Sequence, residues 1–137
     1  MTNLKQISSL LYSQFSIKEI HQLLTKQLNQ FFDLNDNERE IIMNNIPEIL
    51  GRLELNISFV KNKYYKRDNV PFFNPYHSGQ YLTFLYFLSF HLSNKKNEDL
   101  ADRIYFLNKI LNSIDIYHKV QLPTKFFFEH PLGTVLG

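Results

Sequence analysis

The Glu129-His130 pair, followed at once by Pro131-Leu132-Gly133, brings together side chains suited to proton transfer near neutral pH. Imidazole has an unperturbed pKa of about 6.5, so it suits the removal of a proton from a hydroxyl, which is a poor nucleophile until a base takes that proton. A positioned general base contributes typically about 10²- to 10⁴-fold, so it makes an enzyme only alongside a site for the co-reactant. Asp115 lies fifteen residues upstream of His130. Each residue also has a plain structural reading. His130 can be a turn histidine, Asp115 a helix-terminating residue or coil cap, and Asp68, beside Arg67, a surface ion-pair partner or loop cap.

Other chemistries find less in the chain. There is no cysteine, which removes disulfides, thiolate nucleophiles and cysteine metal sites together. His118 and His130 with Glu129 could suggest a metal site, but no histidine pair at i, i+4 supports one. No Gly-rich loop leads into a helix with a following Lys, so a phosphate loop is not expected. The stretch Lys61 to Arg67 interleaves basic and aromatic residues in the manner of a single-strand nucleic-acid platform, although a solvated loop explains it as well. The net charge of +2 gives no strong pull toward nucleic acid or anionic lipid. No nucleic-acid partner is therefore expected. The longest apolar run, Tyr81 to Leu92, is shorter than the roughly 20 residues of a membrane span and includes Thr83, Ser89 and His91, so no membrane partner is expected either. The N-terminus lacks the basic start and continuous apolar stretch of a secretory signal, and the expected location is cytoplasmic.

The elements that must position these residues are mostly helical. Residues 4–12 are expected to form a short helix. Ser16 and Glu19 fit a capping box, with Ile17, Ile20, Leu23, Leu24, Leu28, Phe31 and Phe32 following on one face. Asn35 and Glu38 offer a second box into a short helix ending near Asn45. Pro47 then suits the first turn of another helix, with Ile46, Ile49, Leu50, Leu53, Ile57 and Val60 as its stripe. Residues 61–76 lose periodicity and read as an irregular loop. A long helix over residues 79–93, apolar nearly all round, reads as core or subunit interface. The last helix, capped within Asn97 to Asp99, carries Leu100, Ile104, Leu107, Ile110 and Leu111.

Beyond the boundary near residues 113–115 the pattern changes. Ile116, Leu122, Phe128 and Thr134 fall on a strict six-residue period, which neither a helix nor an ordinary strand produces and which points to a coiled β-solenoid. Gly133 and Gly137 suit its tight corners. The expected fold is mainly α, with a multi-helix N-terminal domain over residues 1–114 followed over 115–137 by the first, incomplete coil of a left-handed β-helix. A solenoid needs roughly three or more stacked repeats, so later coils are expected in a longer protein.

The segment DIYHKVQLPTKFFFEHPLGTVLG, from Asp115 to Gly137, resembles the entry into the left-handed β-helix of the bacterial serine O-acetyltransferase family. A weaker likeness runs from Arg67 to Leu92, where an Arg-Asp loop leads into a Gly-containing helix. The resemblance implies an acetyl-CoA-dependent transfer of acetyl to a hydroxyl acceptor. It makes His130 the general base, Asp115 the partner that orients its ring and stabilises the imidazolium, and Glu129 and Asp68 the carboxylates that hold the acceptor's ammonium group. It also implies a homo-oligomer, a trimer or a dimer of trimers when complete, with the acetyl-CoA groove on later coils. Glu129 stands where the family usually has Asp, and Pro131-Leu132 replaces a smaller pair, so the acceptor is a hydroxyl compound that need not be serine. The competing expectation is a non-enzymatic module that oligomerises through the Tyr81 to Leu92 helix.

Overall fold

The computed structural model describes residues 3–137. Its frame is helical. Helix α1, Ile17–Asn29, begins at the expected capping box: the Ser16 hydroxyl accepts from the Glu19 amide at 3.1 Å, and the Glu19 carboxylate accepts from the Ser16 amide at 2.9 Å. The Glu19 carboxylate also receives Lys5 Nζ, and together these donors hold its pKa down to about 2. Ile20, Leu24 and Leu28 are the buried face.

Helix α2, Asp36–Phe59, opens on the second box, Asn35 with Glu38. It runs through Pro47 without a break, which corrects the expectation of two helices. An interior proline costs about 3 kcal/mol. Here Ile42 and Ile46 before it and Ile49, Leu50, Leu53 and Ile57 after it form one fully buried stripe, and a break would take part of that stripe off the core. Burial at roughly 1.5–3 kcal/mol per large aliphatic side chain outweighs the local penalty.

Residues 4–12 are likewise not a helix. They hold strand β1, Lys5–Gln6, which turns back antiparallel onto β2, Tyr12–Ser13. Strand β2 in turn pairs in parallel with a strand some sixty residues away, a partner that no local pattern announces. The expected irregular loop at 61–76 contains that partner. After a short 3₁₀ turn at Lys63–Tyr65, β3, Lys66–Arg67, and β4, Val70–Phe73, form a hairpin with Arg67 opposite Val70. Its two-residue turn is Asp68-Asn69, with φ of 52° and 65°. Two consecutive positive φ values suit a tight hairpin, and Asp and Asn tolerate them better than most residues. The sheet order is β1-β2-β4-β3.

Helix α3, Ser78–Asn94, lies at the centre and packs on both α2 and α4, Glu98–Asn112. Tyr81, Phe84, Leu85, Phe87 and Leu88 are all buried, so this apolar helix is the core of the chain itself. Asn97 precedes α4 without a side-chain capping bond, and Ser113 ends the helix in the left-handed conformation. No helix among the described residues is long and apolar enough to cross a membrane.

The tail folds back on this frame. Strand β5, Asp115–Ile116, pairs in parallel with β6, Val135–Leu136, so one long loop of chain returns to its own start. Ile116 is buried and Leu122, Phe128 and Thr134 are half-buried, with Leu122 and Phe128 against the core. Three bonds tie the loop down. The Tyr86 hydroxyl donates to the Val120 carbonyl and accepts from the Leu122 amide at 3.0 Å, and Asn56 Nδ2 donates to the Phe126 carbonyl at 3.0 Å. The Phe126 ring meets Phe87 edge-on at 5.7 Å.

Candidate functional site

Where the returning tail crosses the start of α3, a cavity of about 280 Å³ opens between them, and Glu129 and His130 line it together with Asn62, Tyr64, His77 and Ser78. His130 has φ of 50°, an uncommon conformation for a non-glycine residue and one that recurs at functional positions. The bend leads directly into a β-turn. The Thr134 amide donates to the Pro131 carbonyl at 3.1 Å, and Gly133, with φ of 85°, occupies the third position, where a type II turn calls for glycine. The turn is pinned to the helical layer by the Gly133 amide, which donates to the Ser113 carbonyl at 2.7 Å. His130 is thus exposed at the cavity on a backbone anchored just beyond it.

The facing wall is equally fixed. The His77 amide donates to the Asn74 carbonyl at 3.0 Å, and the Asn74 amide donates to Gln80 Oε1 at 2.6 Å. Gln80, fully buried, also donates through Nε2 to the Tyr64 carbonyl at 3.0 Å. These bonds bind the 3₁₀ turn, the loop after β4 and the first turn of α3 into one unit. The Tyr65 ring meets His77 at 5.3 Å and Phe127 at 5.5 Å, both edge-on, and burial pushes its phenol up to about 12. The Tyr65 phenol therefore stays protonated at neutral pH.

Gly79 sets how closely the two walls approach. A Cβ there would lie 3.1 Å from the Phe128 carbonyl oxygen, 3.1 Å from the Tyr65 hydroxyl and 3.2 Å from His77 Cε1. A helical Gly→Ala change commonly stabilises by up to about 1 kcal/mol. Gly79→Ala is expected to lose that gain, because the Phe128 backbone must move, and to shift the amide resonances of residues 127–130 in a ¹⁵N-correlated NMR spectrum. A gain of about 1 kcal/mol with those resonances unmoved would contradict it.

The four residues implied by resemblance are not all gathered here. Glu129 and His130 share the cavity. Asp115 lies in a neighbouring groove with Lys109, Gly133 and Thr134, and its carboxylate accepts from the Tyr105 hydroxyl. Burial and that carboxylate push the Tyr105 pKa up to about 12. Among the described residues no hydrogen bond or ion pair joins Asp115 to His130, although the Asp115 amide donates to the Thr134 carbonyl at 2.9 Å, within the same turn. Asp68 sits exposed at the tip of the β3–β4 hairpin, outside the cavity lining. His118 is buried against α4, with Nε2 2.6 Å from Asp102 Oδ1, and does not join Glu129 and His130.

The sequence places Asn62 and Tyr64 only in the basic-aromatic stretch from Lys61 to Arg67, and nothing in that reading assigns a role to His77. A signal was available: His77 immediately precedes Ser78-Gly79 and a long apolar helix, which is the position of a capping side chain. No protein-family model, no curated protein and no solved structure matches this chain.

Proposed function

We propose that the chain is the N-terminal portion of an acetyl-CoA-dependent O-acetyltransferase resembling the serine O-acetyltransferases, with the tail as the first coil of a left-handed β-helix. The observation that carries the reading is the exposed Glu129-His130 pair, lining a cavity at a pinned turn that closes in parallel against the segment opened by Asp115. In this mechanism His130 removes the proton of the acceptor hydroxyl as its oxygen attacks the thioester carbonyl. CoA thiolate then leaves and takes up a proton. Asp115 orients and stabilises the imidazolium, which requires its carboxylate to accept from His130 as well as, or in place of, Tyr105. Glu129, in the same cavity, holds the acceptor's ammonium group. Asp68 has that role only by resemblance, since no observation of the cavity favours it. Acetyl-CoA binds on later coils, the assembled protein is a homo-oligomer, and a cytoplasmic location matches the supply of acetyl-CoA.

The test follows free CoA thiol with serine and a panel of other hydroxyl acceptors, using the protein expressed from its full reading frame. Acceptor-dependent thiol release that disappears with His130 supports the reading. Turnover indifferent to His130 removes it.

A further inference from the structure

We propose that His77 is an acceptor-binding residue: its Nε2–H, held at the cavity that Glu129 and His130 also line, donates a hydrogen bond to an uncharged hydroxyl or carbonyl oxygen of the acceptor. This rests on the acetyltransferase reading and adds to it a binding group on the helical domain.

The tautomer follows from the helix start. The Gln80 amide donates to the His77 carbonyl at 3.0 Å and also reaches His77 Nδ1 at 3.4 Å, so Nδ1 faces a donor and in the neutral ring the proton belongs on Nε2. That atom makes no hydrogen bond to any described residue, while the rest of the histidine is tightly held. Its amide is bound to Asn74, and its ring lies 6.1 Å from Tyr64 and 5.3 Å from Tyr65. Burial lowers its pKa, which keeps the ring uncharged at neutral pH. An uncharged donor that lines the same cavity as the Glu129 carboxylate and the His130 base recognises an oxygen without competing for the acceptor's proton. Side chains fixed by packing and by hydrogen bonds of this kind are what a binding constellation requires.

A capping role alone would also explain Nδ1, and one substitution separates the two. Asn is among the best capping residues, so His77→Asn keeps the start of α3 and removes Nε2–H from the cavity. In the thiol-release assay His77→Asn is expected to lower kcat/KM for the acceptor about tenfold, mostly through KM, the effect of one lost hydrogen bond. KM for acetyl-CoA and the unfolding midpoint should stay at wild-type values. In the wild-type protein, ¹⁵N NMR of the imidazoles should report Nε2–H for His77. This second readout needs no variant. Turnover that requires His130 yet is unchanged by His77→Asn, or an Nδ1–H tautomer, overturns the role of His77 alone. No turnover in the wild type, or turnover that survives loss of His130, overturns the acetyltransferase reading and this role with it.

Discussion

Replacing His130 with alanine is expected to lower kcat/KM for acceptor acetylation by about 10²- to 10⁴-fold, the range that a positioned general base contributes. The backbone makes the choice of variant matter. His130 has φ of 50°, a conformation that alanine adopts only with strain, so His130→Ala removes the base and also stresses the turn that carries it. His130→Asn tolerates the left-handed conformation better and equally lacks a base. Equal losses in the two variants assign the effect to the imidazole. A loss in the alanine variant that asparagine restores would mean that the turn, rather than proton transfer, is what His130 supplies. His130→Asn should leave the unfolding midpoint near the wild-type value, because the side chain is exposed and the turn is anchored through Gly133 and Ser113, whereas His130→Ala should lower it slightly through the strained turn.

The parts of this fold that were legible from the sequence are those whose causes lie within a few residues. Ser16 with Glu19 and Asn35 with Glu38 form both capping boxes as their spacing requires, because each box is closed by atoms three residues apart. The glycine at the Gly133 turn was legible for the same reason, since a tight turn needs its positive φ at one position. Pro47 was misread because the local rule against an interior proline ignores the continuous stripe that the whole of α2 buries on α3 and its neighbours. The β-sheet was missed because Tyr12–Ser13 finds its parallel partner in Phe72–Phe73, and that pairing exists only after the helices have brought the two segments together. The site divides in the same way. Glu129 and His130 are adjacent in sequence and share the cavity, whereas His77 lies some fifty residues away in the sequence and is held at the same cavity by contacts with Tyr64, Tyr65 and Gln80.

Phe84→Ala is expected to destabilise the chain by about 3–5 kcal/mol, the usual cost of emptying a fully buried aromatic site. Phe84 has no exposed surface; its ring stacks on Tyr81 at 5.9 Å and meets Phe73 of β4 at 5.5 Å. It therefore joins the central helix to the sheet that ends in the cavity wall. The neighbours cannot readily collapse into the gap. Tyr81 is held by its hydrogen bond to Gln27 of α1, and Phe73 by the parallel pairing with Ser13. Domains of this kind have total stabilities of about 5–15 kcal/mol, so roughly a fifth or more of the reserve is at stake. Urea unfolding should show the loss as a lower midpoint at an unchanged slope, and Phe84→Leu should recover much of it. The consequence reaches the site through the tail. The Leu122 amide is bonded to Tyr86 on the same helix, so its hydrogen exchange should accelerate in Phe84→Ala in step with global unfolding. A loss below about 1 kcal/mol would mean that α3 is not the element on which the sheet, the helices and the His130 turn jointly depend.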